Sequence, residues 1–412
     1  MNKRLLIGFL TCFLLSGFAN TARADPCPPP SCPDCYTWNG SACVYICGCL
    51  PSPIGFSVWP STNDRYVCID DTIVFNAQWP LTYDGDGCSL IYIWNFGPGA
   101  YDIDLGVDGS YVSCRYGSAG DRTVTLTVTR VTSSDPNSCC STPRTASFSR
   151  TVTVVEVESL QPDPGPDIEE IDDGDGNPNT RSFLVKIADS GVVTVRATPN
   201  PVVPEQCLPG YGYTWGWWLE GGTGSSYLTR TVDRTTTGVT TISCVCGSSS
   251  KTTKIYVYEA KLKLYAKGGL SYIPLLVTLG DFGHSWWKLE FSHPELLKPI
   301  TLRLYVGEEI GYWPAEGFPL YNPWAFVPGD VLVYDQGCTE WATGEWRIAW
   351  SELRAALYYS MILDNSPGEF SAWYHNCTDE AVTAGEVAGV ETIDASIDPT
   401  LPLTLFLYLL IH

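Results

Sequence analysis

Thr123-Val124-Thr125-Leu126-Thr127-Val128 alternates hydroxyl and aliphatic side chains over six residues. A period of two sends Val124, Leu126 and Val128 to one face and the threonines to the other, the pattern of a half-buried β-strand. Thr151-Val152-Thr153-Val154 repeats it. Short runs of this kind, divided by turn residues, continue from about Phe56 to Glu158, and their spacing predicts a β-sandwich. A second such stretch runs from about Ser182 to Glu259. It holds Val192-Val193-Thr194-Val195, Trp215 ahead of Gly221-Gly222, and the strands Val239 to Cys246 and Lys254 to Tyr258. The cluster Trp215, Trp217 and Trp218 reads as core or inter-domain packing in preference to a sugar platform.

After Lys261 the composition changes. Eight of the 15 tryptophans fall between Trp286 and Trp373, and two helical patterns appear. Ser351 is placed to cap the first, Leu353, Ala356 and Leu357 share a face, and Asn365-Ser366-Pro367-Gly368 stops it. The second runs from Thr378 to Ala388, with Ala381, Ala384 and Ala388 as a narrow stripe and Gly389 as its end. Strands are expected at His284 to Phe291, Ile300 to Tyr312 and Phe370 to Asn376, which makes this an α+β domain.

Toward the N-terminus, Lys3-Arg4, the apolar stretch Leu5 to Phe18 and Ala22-Arg23-Ala24 have the form of a cleaved secretory leader. Its loss would take the formal charge from −21 to −24, a balance that argues against a nucleic-acid partner. No later segment has the roughly 18 unbroken apolar residues of a membrane span. Of 17 cysteines, Cys12 leaves with the leader and 14 lie between Cys27 and Cys246, an even set that suggests disulfides in an exported protein. Six of them crowd between Cys27 and Cys49, in a segment too short to bury a core, read as a disulfide-stapled knot. Between Gln161 and Asn179, seven acidic residues mixed with Pro and Gly read as a hydrated linker. Asp172-Asp173-Gly174-Asp175-Gly176-Asn177 is oxygen-rich, but it lacks the spacing and closing glutamate of an EF-hand, so no metal is assigned.

The chemistry centres on His284, in Gly283-His284-Ser285-Trp286-Trp287, and on Cys377, in Asn376-Cys377-Thr378-Asp379-Glu380. A thiol at the N-terminus of a helix meets unpaired N–H groups and a favourable dipole, and a nearby imidazole supplies the base. Asp379 and Glu380 would work against the thiolate if turned toward the sulfur. Cys377 has a second reading, as the disulfide partner of Cys338. Asn376-Cys377-Thr378 also fits a glycosylation sequon. His293 and His375 are weaker bases. A hairpin turning near Leu296 would set Glu308 and Glu309 opposite His284, as solvated turn charges or as an orienting carboxylate.

Three resemblances are carried by the residues of this chain. Trp94-Asn95-Phe96-Gly97-Pro98-Gly99, Tyr116, Gly120 and the Val124/Leu126/Val128 strand resemble the polycystic-kidney-disease (PKD) type of immunoglobulin-like domain, which implies a spacer or adhesive module. The stretch from Ser182 resembles a further immunoglobulin-like repeat. Gly283-His284-Ser285-Trp286, Gly311-Tyr312-Trp313-Pro314 and Tyr374-His375-Asn376-Cys377-Thr378 resemble the permuted branch of the NlpC/P60 (papain-like) cysteine hydrolases, as in lecithin:retinol acyltransferase-like proteins. That resemblance implies Cys377 as nucleophile, His284 as general base, no cofactor, and peptidoglycan peptides as a substrate class.

The expectation is therefore a multi-domain chain: a leader (1–24), a Cys-rich segment (25–53), a PKD/immunoglobulin-like sandwich (54–158), an acidic linker (159–181), a second sandwich (182–260) and an α+β papain-like domain (261–412). Its expected function is a secreted or surface-bound cysteine hydrolase or acyltransferase meeting an extracellular polymer. The alternatives are a non-catalytic adhesin with a Cys338–Cys377 disulfide and a carbohydrate binder using Trp313, Trp324, Trp341 and Trp346.

Overall fold

The computed structural model describes residues 36–38, 43–45, 55–60, 65–78, 90–107, 109–130, 144–209, 218–224, 226–267, 284–315, 326–333, 342–370 and 376–390, with Leu405 and Leu409. The leader, most of the Cys-rich segment, Trp215, Trp217, Cys338 and His375 lie outside these residues. The chain divides into two compact units. One comprises Met1–Phe56, Ala77–Trp94 and Leu126–Phe148, and the other comprises Ser57–Asn76, Asn95–Thr125 and Ser149–His412.

The first ten strands are β1 (Tyr36–Trp38), β2 (Cys43–Tyr45), β3 (Gly55–Trp59), β4 (Tyr66–Cys68), β5 (Ile73–Gln78), β6 (Leu90–Asn95), β7 (Ala100–Leu105), β8 (Tyr111–Tyr116), β9 (Gly120–Arg130) and β10 (Arg144–Pro162). In the first unit β1 and β2 pair antiparallel, Tyr36 opposite Tyr45. Phe56 is buried there, edge-on to Trp94 at 5.3 Å and to Phe148 at 5.4 Å. Leu126 and Val128 are buried, while the intervening Thr127 hydroxyl meets that of Ser147 at 2.9 Å. The alternation read from the sequence is thus realised, threonines outward and aliphatics inward.

In the second unit β5, β8 and β7 form an antiparallel ladder, with Phe75 opposite Val112 and Ala100 opposite Tyr116. Tyr116 is fully buried and donates its hydroxyl to the Phe96 carbonyl at 2.9 Å, which fixes the Trp94–Gly99 turn from beneath. Gly97 (φ +73) accepts no side chain without strain, and a Cβ there would sit 3.1 Å from the Thr123 carbonyl.

β10 continues past its pairing with β4 into a ladder with β13, so one 19-residue strand serves both sandwiches. The second sandwich adds β11 (Ile168–Ile171), β12 (Thr180–Lys186), β13 (Val192–Asn200), β14 (Trp218–Glu220), β15 (Thr229–Asp233), β16 (Gly238–Cys246) and β17 (Ser249–Tyr258). One sheet has the order β11-β12-β17-β16-β14, with β12 and β17 parallel. Facing residues such as Leu160, Val185, Val195, Ile242 and Ile255 close a core between it and the β10-β13-β15 layer. Cys68 of β4 and Cys246 of β16 form a buried disulfide across 178 residues.

The acidic stretch departs from its reading as a hydrated linker. It contains β11, and its carboxylates find cations: Asp163 with Arg196 (3.1 Å), Asp167 with Arg234 (2.9 Å), Glu170 with Arg181, Asp172 with Lys298 (3.1 Å), and Asp173 and Asp175 with Lys254 (2.8 and 2.9 Å). Composition counts the charges within the segment, whereas five partners are supplied from residues 181 to 298. Burial opposes ionisation at Asp173. Lys254, Ser182, the Asp175 N–H and Tyr256 outweigh it, so the carboxyl is lowered to about 2.

The last region comprises β18 (Ala260–Lys267), β19 (His284–Phe291), β20 (Glu309–Pro314), β21 (Val327–Val333), β22 (Ala342–Arg347), α1 (Trp350–Asn365), β23 (Glu369–Phe370) and α2 (Cys377–Val387). The sheet order is β22-β18-β19-β20-β21-β23. Leu262, Leu264, Trp287, Leu289 and Ile310 face Leu353, Leu357, Ala381 and Ala384 of the helices in one core. This core also takes in Leu184, Tyr256 and Tyr258 of the second sandwich, and the Tyr258 hydroxyl accepts the Trp350 N–H at 2.9 Å. Among the described residues no helix is long and apolar enough to cross a membrane.

Two local expectations are corrected. Ile300–Tyr305 is a 3-10 helix, and the strand begins only at Glu309. Pro299 fixes the entry to that turn, and Leu302 and Tyr305, three residues apart, fall on the same inward face. Ser351 is not the cap of α1. Helix geometry starts at Trp350, and the Glu352 carboxylate takes the Ala349 N–H at 2.5 Å.

Candidate functional site

Cys377 is the first residue of α2, and its position is set by reciprocal capping. The Asn376 side chain accepts the Thr378 N–H at 2.8 Å, and Asp379 accepts the Asn376 N–H at 2.8 Å. Asp379 is thereby committed to the cap. Asn376 is 3% exposed with its amide in use, which argues against its sequon as a glycan acceptor.

α2 lies across the start of β19. The Thr378 hydroxyl meets that of Ser285 at 3.2 Å, both fully buried. Cys377 is a free thiol. Burial dominates its ionisation and pushes it up to about 11. The Ser285 N–H and Thr378 hydroxyl pull the other way, and the Asp379 charge adds to the rise. The helix terminus therefore does not lower this thiol as the sequence led us to expect, because desolvation of a thiolate at 6% exposure outweighs two hydrogen bonds.

His284 begins β19. Ser285 and Trp287 face the helices, Trp287 donating its indole N–H to Ser360 at 3.1 Å, so strand alternation turns His284 and Trp286 to the opposite face. There the imidazole is 4% exposed, stacked on Trp286 at 5.3 Å and against Trp313 at 3.9 Å, with Tyr265 also stacked on Trp286. The structure places the two sequence-predicted residues at the same end of β19 but on opposite faces of the sheet, so it does not set the imidazole beside the thiol.

Other candidates fall away from this point. Lys288, not His284, is opposite Glu309, and the register carries Trp313 to His284. The hairpin expected to present Glu308 and Glu309 fails because the 3-10 turn shortens β20. His293 lies beyond the other end of β19, its nitrogens 3.1 Å from Glu295 and from the Val257 carbonyl. Trp346 packs with the helix-side core, while Trp313 is on the face of His284, so these two do not line one sugar groove. Trp324 and Trp341 are outside the described residues. No group of three or more His, Cys, Asp or Glu side chains converges as a metal site among the described residues.

Three residues complete the neighbourhood: Ser285 and Thr378, given no role from sequence, and Glu380, read there only as a charge that would oppose the thiolate. Ser285 and Thr378 bind α2 to β19, and Glu380 lies buried one turn beyond Cys377, taking a hydrogen bond from Tyr359 of α1. The acid in an otherwise small and apolar helix face was the available signal for Glu380.

Residues 55–139 match the family model for the PKD domain. Similar solved structures include the insect immune protein hemolin, at 9% identity and TM-score 0.20, covering 49% of this chain and 46% of that one. The fibronectin(III)-like modules of Clostridium thermocellum CbhA match at 12% identity and TM-score 0.22, covering 50% and 94%. Domains 4 and 5 of the S-layer protein SbsC match at 11% and 0.20, covering 49% and 96%. The chain thus spans less than half of the hemolin structure. No curated protein matches it. What these observations define is a mostly β chain whose residues 55–139 are of PKD type, followed by a second sandwich and an α+β region.

Proposed function

We propose that the chain is a secreted or surface-associated thiol hydrolase or acyltransferase, with its sandwiches as a spacer or adhesive arm and a papain-like arrangement in its last region. The observation that carries this reading is the free Cys377 at the capped start of α2, tied to the His284 end of β19 through the contact between the Thr378 and Ser285 hydroxyls. The reaction requires the His284 ring, stacked here on Trp286 and Trp313 on the opposite face of β19, to turn to the sulfur; it then takes the thiol proton, the thiolate attacks an amide or ester carbonyl, and the imidazolium returns the proton to the departing amine or alcohol. Water or an acceptor, deprotonated by the same imidazole, then cleaves the thioester and restores the thiol. The PKD match and the Cys68–Cys246 disulfide support an extracellular setting and a polymeric partner, such as peptidoglycan peptides or a polysaccharide.

One observation favours the non-catalytic adhesin instead: the thiol is buried and held near 11. Trapping separates the two readings. An acyl probe incubated with the full chain at pH 7.5 should leave a thioester on the Cys377 peptide, and His284→Ala should lower its yield at least about tenfold, a general-base effect. Equal acylation of both proteins overturns the hydrolase reading.

A further inference from the structure

The aromatic stack on the outer face of β19 keeps His284 from Cys377, and its members do not hold the imidazole equally. Trp286 lies on the same strand as His284 and is fully buried, 5.3 Å from the imidazole and 5.3 Å from the Tyr265 ring of β18. Trp313 comes from a different strand, is only part-buried, and is nearer, at 3.9 Å with a tilt of 34°.

Both rings sit where their strands run out. His284 is the first residue of β19, and Trp313 is the last but one of β20. The β19–β20 ladder pairs Lys288 with Glu309, Trp287 with Ile310 and Trp286 with Gly311, and ends there. Beyond that point the contact between the two rings ties the start of β19 to β20. Toward β18, His284 forms the terminal pair of the ladder, opposite Lys267. Terminal pairs open at little cost, so residue 284 can change face while Ser285 keeps its contact with Thr378.

We propose that Trp313 is an autoinhibitory clamp: its indole holds the His284 imidazole on the outer face of β19, and withdrawal of the indole frees the imidazole to reach Cys377. The inhibitory consequence rests on Cys377 and His284 acting as the hydrolase pair; the clamp itself does not. The structure is the clamped state, and a reaction that needs the turned ring proceeds in proportion to the turned fraction. An aromatic pair contributes enough beyond its buried area that losing it multiplies that fraction about 2- to 10-fold. Trp313 is the member to remove, because replacing Trp286 would also empty a fully buried position and break its stack with Tyr265.

Relaxation dispersion of ring-labelled histidines in the full chain measures the turned fraction directly, since it reports exchange between two ring environments and not mere exposure. The chain has four histidines, so each resonance is assigned by substitution. The minor fraction at His284 should grow about 2- to 10-fold in Trp313→Ala. Trp313→Phe should fall between that variant and the parent chain, and it carries the test if the alanine variant does not fold. His293 is the internal control: buried beyond the other end of β19, against Glu295 and the Val257 carbonyl, it should show no change. An unchanged His284 fraction, or equal growth at His284 and His293, overturns the clamp. Acyl trapping on Cys377 reads the consequence: its yield should rise in Trp313→Ala by the same factor and fall back when His284→Ala is added. A larger turned fraction without that rise overturns the hydrolase reading and leaves the clamp standing.

Discussion

At the residue scale, ionisable groups are decided by which term wins. Asp173 and Glu380 are both shielded carboxyls with opposite outcomes: Lys254 and surrounding donors lower the first to about 2, and burial raises the second to about 7. Lys254→Met should therefore leave Asp173 without its main partner and cost about 1–3 kcal/mol at pH 7. Asp173 is held below its unfolded value, so its contribution is present above about pH 4 and is lost as pH falls toward 2. Urea unfolding at pH 7 and pH 2.5 should accordingly give a large difference between parent and variant at the first and a small one at the second. His284 and Cys377 were legible as residue types, since a lone thiol after an N-cap asparagine and a histidine at a strand start stand out in sequence. The thiol's raised ionisation was not, because it depends on the burial that α2 brings when it docks, which Ser285 and Thr378 only partly offset.

At the element scale, Gly247 makes the turn between β16 and β17. Its φ is +61, and a Cβ would fall 1.8 Å from the Ile69 carbonyl. Gly247→Ala should cost about 2 kcal/mol or more from strain alone, measured as a lowered denaturation midpoint. Alternation identified the strands around Val124, Val152 and Val193, and helical spacing identified α1 and α2, because each pattern is a local property of side-chain direction. The 3-10 turn at Ile300–Tyr305 and β11 escaped. In the first, prolines override an apolar run that also fits a strand; in the second, acidic residues are stabilised by arginines and lysines distant in sequence. The register that put Trp313 beside His284 likewise followed from that shortened strand and not from a residue count.

At the scale of the molecule, β10 and the Cys68–Cys246 disulfide join residues of the two sandwiches, and the second sandwich shares its core edge with the α+β region through Tyr256 and Tyr258. Replacing both cysteines by serine should destabilise the chain by up to about 5 kcal/mol, the chain-entropy limit for so long a loop, read as a lowered calorimetric transition. The central claim is that Cys377 and His284 act as one chemical unit. Its most direct test is the rate of iodoacetamide alkylation at the Cys377 peptide from pH 5 to 11. The account predicts a reactive phase below pH 8 that disappears in His284→Ala, leaving only the ionisation near 11. A single ionisation near 11 in both proteins would contradict it.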